Sequence, residues 1–171
     1  ISVKEVGLTS ATEPDWYNEV QPEKLLNPNF DTDKASWVEG GVTAVWSGGS
    51  IDITNNTTNG RLYQAFATEV GKEYKFTMVV DSVTSGHISQ RVSTTYDSVG
   101  TFTSQNNTTG GVFDFTFIAT QTTTYAIAYL IGVLGDTARI NSMSIRLTEF
   151  PTGTTTITDN TATWDITPTN Y

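Results

Sequence analysis

The sequence predicts an all-β protein, an antiparallel β-sandwich of jelly-roll type with little or no helix. Three observations carry this reading. Threonine is the most frequent residue, and its β-branched side chain suits a pleated surface half exposed to water. Several segments alternate apolar and polar residues with period two, the pattern of strands with one buried face. Glycine and asparagine turn signals separate these segments at the spacing of roughly eight to twelve residues found in sandwiches and barrels.

Taken in chain order, short strands are expected at Ile51 to Thr54, Leu62 to Thr68 and Ile88 to Ser93. From Glu73 to Asp81, Tyr74, Phe76, Met78 and Val80 share one face. From Gly111 to Ala119, Phe113, Phe115 and Phe117 do the same, opposite Asp114 and Thr116. The segment Thr124 to Ile131 is apolar on both faces, with Tyr125, Ile127, Tyr129 and Ile131 on one and Ala126, Ala128 and Leu130 on the other. Such a strand is either central in its sheet or part of a subunit interface. Met143, Ile145 and Leu147 complete the set, with Ser144 and Arg146 facing water. Turns are expected at Gly48-Gly49, Asn59-Gly60, Val70-Gly71-Lys72, Ser85-Gly86, Gly110-Gly111 and Gly135-Asp136.

Two flanks differ from this core. The segment Gly7 to Pro22 is polar, contains two prolines and reads as a linker, in which Trp16 and Tyr17 are anchors against a neighbour. Residues 151–171 are rich in threonine, with Ala162 to Thr167 alternating as one extra strand. The opening Ile1-Ser2-Val3-Lys4-Glu5 repeats the pattern of Met143 to Leu147, so the end of a preceding module is expected at the start of the chain. The expected division is therefore residues 1–24 as an N-terminal strand and linker, 25–150 as the sandwich and 151–171 as a C-terminal extension.

Composition excludes several function classes. The absence of cysteine removes disulfides and cysteine-based metal or nucleophile sites. A net charge of -9 and a pI near 4.3 oppose binding to nucleic acid or to an anionic membrane surface, and no basic cluster offsets them. No apolar run reaches the length of a helical membrane span, so insertion is not expected. The single histidine, His87, sits in a polar turn with no partners at metal or triad spacing. Among the acidic residues Asp31, Asp33, Asp52, Asp97 and Asp136 are conceivable, but no pair is singled out for hydrolysis. No glycine-rich loop precedes a helix to cradle phosphate. The Asn-x-Thr triplets at Asn55 to Thr58 and Asn106 to Thr109 are explained by turn chemistry.

The order of features from Leu25 to Leu147 resembles carbohydrate-binding modules of the family 4, 9 and 22 type, and the related repeated domains of bacteriophage tail proteins. The residues that carry the resemblance are Asn27-Pro28-Asn29-Phe30-Asp31 followed by Trp37, then Gly48-Gly49-Ser50-Ile51-Asp52-Ile53. Leu62-Tyr63-Gln64-Ala65-Phe66 and Gly71-Lys72-Glu73-Tyr74-Lys75-Phe76 come next, and Ile140-Asn141-Ser142-Met143-Ser144-Ile145 closes the set. The resemblance implies a jelly roll with Trp37 in the core. It also implies a weak structural calcium site, with Asp31 at the family's acidic position; Asn141 departs from the usual final Asp and removes one carboxylate.

Sugar rings present apolar C–H faces that pack on Trp or Tyr, while Asn, Gln, Asp and Arg bond the hydroxyl groups. On this chemistry the candidate ligand contacts are Trp46, beside Ser47-Gly48-Gly49, and Tyr96, in a polar loop. Tyr63, with Arg61 and Gln64, lines a concave face or packs in the core. The expected function is reversible, non-catalytic binding of a bacterial cell-surface polysaccharide, as a host-recognition module of a phage tail fibre or similar surface protein. The expected setting is a virion or the extracellular space, and the expected assembly a homotrimer, which raises avidity. A spacer or trimerisation unit without ligand, or the ancillary module of a glycoside hydrolase, are the alternatives.

Overall fold

The structure is a computed structural model that describes residues 21–97, 101–148, 155–158 and 163–166, with side chains left undescribed for 101–105 and for the last two segments. The expectations for residues 1–20, including the repeated strand and the anchors Trp16 and Tyr17, lie outside the described residues. The described chain contains no helix and forms two five-stranded antiparallel sheets. The strands are β1 (Val38–Gly40), β2 (Val42–Trp46), β3 (Ile51–Asn55), β4 (Gly60–Ala67), β5 (Glu73–Val83) and β6 (His87–Ser93). They continue with β7 (Thr101–Asn107), β8 (Gly111–Ile118), β9 (Thr123–Ile131) and β10 (Thr137–Leu147). The first sheet has the order β1-β4-β9-β6-β7 and the second β2-β3-β10-β5-β8. A separate hairpin pairs β11 (Thr155–Thr158) with β12 (Thr163–Ile166), so the extra strand expected around residues 162–167 forms and finds a partner the sequence reading did not supply.

Alternation builds the core. Tyr74, Phe76, Met78 and Val80 of β5 all point inward and are almost fully buried, as are Ala126, Ala128 and Leu130 of β9. Tyr74 stacks on Phe117 with centroids 5.6 Å apart, and Phe76 meets Phe115 edge-on at 5.7 Å. These offset and T-shaped geometries suit the ring quadrupoles. Two buried amides cross between the sheets: Gln90 Nε2 donates to Phe76 O and Asn55 Nδ2 to Leu130 O, at 3.1 and 3.2 Å. Strand β9 lies between β4 and β6 in the middle of its sheet, which accounts for its apolar inward face.

The opening loop is clamped onto this core. Phe30 is fully buried at φ 52°, a conformation that a bulky residue rarely adopts, and its ring lies 5.5 Å from that of Trp37. The Trp46 indole donates to Phe30 O at 2.6 Å and the Trp37 indole to Asn27 O at 3.1 Å. Trp37 therefore belongs to the core. Upstream of Leu25 the chain is already bonded to β10. The Glu23 carboxylate accepts from the Ile145 amide and the Ser144 hydroxyl, Lys24 N donates to Ile145 O, and Arg146 bonds Gln21 O. Residues 21–24, expected in the preceding segment, thus make contacts of the sandwich.

At the opposite end, Asp136 fixes the turn between β9 and β10. Its carboxylate accepts from the Ser85 hydroxyl and from Val133 N, and these two bonds hold its pKa below the ordinary carboxylate value. The bidentate bond from Arg139 lowers Asp52 in the same direction. A group whose folded pKa is depressed stabilises the fold above its unfolded pKa and ceases to do so as pH falls through the folded value. Melting temperature is therefore expected to drop on acidification below about pH 4. Asp136→Asn is expected to flatten that acid limb, and a limb identical to the parent's would show that Asp136 does not contribute to it.

Candidate functional site

Period-two geometry places Arg61, Tyr63 and Ala65 of β4 on the outward face of the first sheet, since Leu62, Gln64 and Phe66 face the core. The same rule sets Tyr125, Ile127, Tyr129 and Ile131 outward from β9, and His87, Ser89, Arg91 and Ser93 outward from β6. Register brings them side by side. Arg61 is opposite Tyr129, which is opposite Ser89; Tyr63 is opposite Ile127, which is opposite Arg91; and Tyr125 is opposite Ser93. On the outer flank, Val38 of β1 is opposite Tyr63 and Gly40 is opposite Arg61.

Contacts among these side chains form two groups on the same face, one around Tyr63 and one around Tyr129. Tyr63 stacks on Tyr96 with centroids 5.7 Å apart and tilts against Tyr125 at 6.2 Å. Tyr96 comes from the loop after β6, is 51% exposed, and lies under the Arg61 guanidinium at 5.6 Å. The Arg91 guanidinium sits 4.1 Å above the Tyr129 ring and donates through Nε to Ser89 Oγ. Burial pulls the Arg91 pKa down from its ordinary value, while the nearby Tyr129 hydroxyl opposes that shift. Arg61 runs close across Gly40, where a Cβ would approach its Cγ to 3.1 Å and its Nε to 3.0 Å. The small residue at position 40 thus gives the arginine room to lie along the sheet. Flat rings, guanidinium forks and hydroxyl groups on a firm sheet can stack on a ring-shaped polar ligand and hydrogen-bond its edge.

The structure thus brings together three residues expected from sequence, Arg61, Tyr63 and Tyr96, and parts them from two others. Gln64 is corrected: it is 4% exposed, faces the core, accepts from Leu26 N and donates to Leu26 O and Ser36 O. Its amide is consumed in pinning the opening loop. Trp46 is 41% exposed, but it stands on β2 of the other sheet with its indole N–H bonded to Phe30 O. His87, expected in an exposed turn, begins β6 and is half-buried opposite Ile131.

The calcium expectation meets no carboxylate cage. Asp31 is exposed, and among the described residues no three His, Cys, Asp or Glu side chains come together to hold a metal ion. Asp31 and Asn141 alone do not supply the six to eight oxygen ligands calcium takes. On the second sheet a polar hollow of about 330 Å³ is lined by Asp52, Asp81, Ser82 and Arg139 among others. Asp52 and Arg139 are committed to each other there at 2.7 Å, and the lowered pKa of Asp52 is the reverse of what a general acid requires.

Residues that sequence reasoning missed are Tyr125, Tyr129 and Arg91; Ile127 lies between them on the same face but is fully buried. The outward tyrosines were visible as the second apolar face of β9. Arg91 carried no signal, because a lone arginine in a Ser/Val strand reads as a solvated charge.

No family model matches the sequence, and no curated protein matches it. Solved structures do match. A family 4 carbohydrate-binding module shares 18% identity at a TM-score of 0.52, over 71% of this chain and 98% of that one. An α-L-arabinofuranosidase of the MgGH51 type matches 75% of this chain at TM-score 0.56 and 13% identity, over 27% of its own length. The enzymatically active domain of bacteriophage CBA120 tailspike protein 4 matches 73% of this chain at 0.53 and 11%, over 21% of its own length. At these identities the likeness shows the fold, the jelly roll of carbohydrate-binding modules.

Proposed function

We propose that the chain is a non-catalytic carbohydrate-binding module that holds a glycan against the outward face of the first sheet. The observation that carries this is the convergence of Tyr63, Tyr96, Tyr125 and Tyr129 with Arg61 and Arg91 on one face. The shared fold of carbohydrate-binding modules supports it. In this reading binding is reversible and involves no bond cleavage, in keeping with the engagement of Asp52 by Arg139 and of Asp136 by Ser85 and the Val133 amide.

Our finer reading is host recognition: a module of a phage tail fibre or similar surface protein, acting in the virion or extracellularly on bacterial cell-surface polysaccharide, as a homotrimer. The tailspike likeness supports this setting. The likeness to part of a larger arabinofuranosidase favours a second reading, the ancillary sugar-binding module of a glycoside hydrolase. Retention on immobilised polysaccharides from bacterial surfaces and from plant cell walls separates the two, and the mass in solution tests the trimer. Saturable retention on the bacterial set by a trimeric species is expected. Retention only on plant polysaccharides would favour the hydrolase module, and retention on neither set would sink both.

A further inference from the structure

Strands β1, β7, β2 and β8 form the edges of the two sheets, and the first three are blunted against further pairing. Strand β1 is three residues long and contains Glu39. Strand β7 is polar apart from Phe102 and pairs with β6 through a register shift. On β2 the Ala44 carbonyl already accepts from Lys34 Nζ at 2.8 Å. Strand β8 has none of these devices. Its eight residues, Gly111–Ile118, pair with β5 in unbroken register and include neither proline nor lysine. Val112 and Ile118 on its outward face are 67% and 58% exposed, and Phe113 and Phe115 on its inward face are only half-buried. Its single charge, Asp114, is held by Lys75 at 2.6 Å. A long, flat, apolar edge of this kind is a template for another strand.

The β11–β12 hairpin presents the complementary demand. It is a separate two-stranded sheet, and among the described residues its strands pair only with each other. Two strands alone are marginally stable in water and need a third strand or a surface to pack on. Register sets Ile157 opposite Trp164 and Thr155 opposite Ile166, which places the three apolar residues on one face of the hairpin. Strand β11 contains no charge and β12 only Asp165. A contact between this hairpin and β8 therefore brings few like charges together in a chain of net charge -9.

We infer that the β11–β12 hairpin of one copy of this chain adds to the β8 edge of a second copy, lengthening that copy's second sheet by the two strands of the hairpin. This rests on the homotrimer reading and names the contact that builds it. Pairing satisfies the outer row of backbone groups on β8 and takes apolar surface of Val112, Ile118 and the half-buried phenylalanines out of water. Within one chain the hairpin and β8 stand in separate sheets, so the second copy supplies what the single chain leaves unmet. A hairpin-to-edge contact is heterologous and can close as a ring of three, whereas β8 paired with β8 of another copy stops at two.

The chain contains no cysteine, so introduced thiols report without background. Thr116→Cys on the outward face of β8 and Thr156→Cys on β11 are made singly and also combined in one chain. The two single variants, co-expressed and treated with a short bis-maleimide linker, are expected to give a cross-linked band of two chains that neither gives alone. Ile118→Lys, at an exposed position, is expected to reduce the assembly to single chains by mass in solution with strand content unchanged by circular dichroism. A link formed only inside the combined variant's own chain would overturn the inference by placing the hairpin on its own β8. A link between two Thr116→Cys chains would overturn it in favour of β8 self-pairing, and no link in any arrangement would overturn it outright. An Ile118→Lys protein with the parent's oligomeric mass would overturn the inference and leave the homotrimer standing on another contact. A monomeric parent would overturn both, while glycan binding is read separately by retention on polysaccharide.

Discussion

Phe30→Ala is expected to destabilise the fold by about 3–5 kcal/mol, the range for emptying a buried aromatic site. The ring is fully buried against Trp37, and the carbonyl of the same residue holds the Trp46 indole. Its removal opens a cavity and loosens the loop that Gln64 pins from below. Alanine does not recover the loss through the backbone, because φ 52° is unfavourable for any residue with a Cβ. Against a total stability of about 5–15 kcal/mol for a typical domain, this leaves the variant marginal at ordinary temperature. Urea unfolding followed by circular dichroism measures it. A midpoint within experimental error of the parent's would show that the opening loop is not part of the cooperative core.

The second large effect falls on binding. Tyr63→Ala and Tyr129→Ala are each expected to weaken glycan affinity by about 30-fold or more, the scale of an aromatic hot spot of about 2 kcal/mol. Tyr63 sits at the junction of Tyr96 and Tyr125, so its loss removes the platform on which the other two lean. Loss of Tyr129 deprives Arg91 of the ring that orients it. Both side chains face outward from a sheet whose core contacts lie on the other side, so unfolding midpoints are expected to shift far less than affinities. Trp46→Ala supplies the contrast: its side chain stands on the second sheet, and affinity is expected to stay within about twofold of the parent's, below a 0.5 kcal/mol effect. Isothermal titration against the best-retained polysaccharide reads all three. Affinity unchanged in both tyrosine variants would move the site off this face.

The sandwich was legible in the sequence because its long strands obey period two. Tyr74 to Val80 on β5 and the three phenylalanines of β8 announce a buried face whatever the tertiary context. Two of the strands that escaped notice, β1 and β7, lack that signature, whereas β2 shows it over only Val42 to Ala44. The short β1, Val38–Gly40, carries Glu39 between its outward positions, and β7 is polar apart from Phe102. Edge strands of this sort are defined by the neighbour they pair with rather than by their own pattern.

The site was legible only in part, for a related reason. Arg61 and Tyr63 share a face by simple alternation, and the same alternation turns Gln64 inward, where Leu26 and Ser36 engage its amide. Treating the three as one patch overlooked that geometry. Tyr129 and Arg91 come together through pairing of β9 with β6 across about 40 residues of sequence, and no local pattern carries such register. Trp46 looked like a ligand contact because glycines follow it, whereas its indole is held by a carbonyl sixteen residues upstream.

The central claim is that the outward face of β4, β9 and β6 is where the glycan sits. The four arginines permit a direct test, because two of them lie on this face and two, Arg139 and Arg146, lie on β10 of the other sheet. Arginine Nε–H resonances followed by NMR during titration with oligosaccharides of the best-retained polysaccharide read both sheets at once. The expected result is saturable shifts at Arg61 and Arg91 with Arg139 and Arg146 unmoved. Shifts confined to Arg139 or to the Trp46 indole, with Arg61 and Arg91 silent, would contradict it.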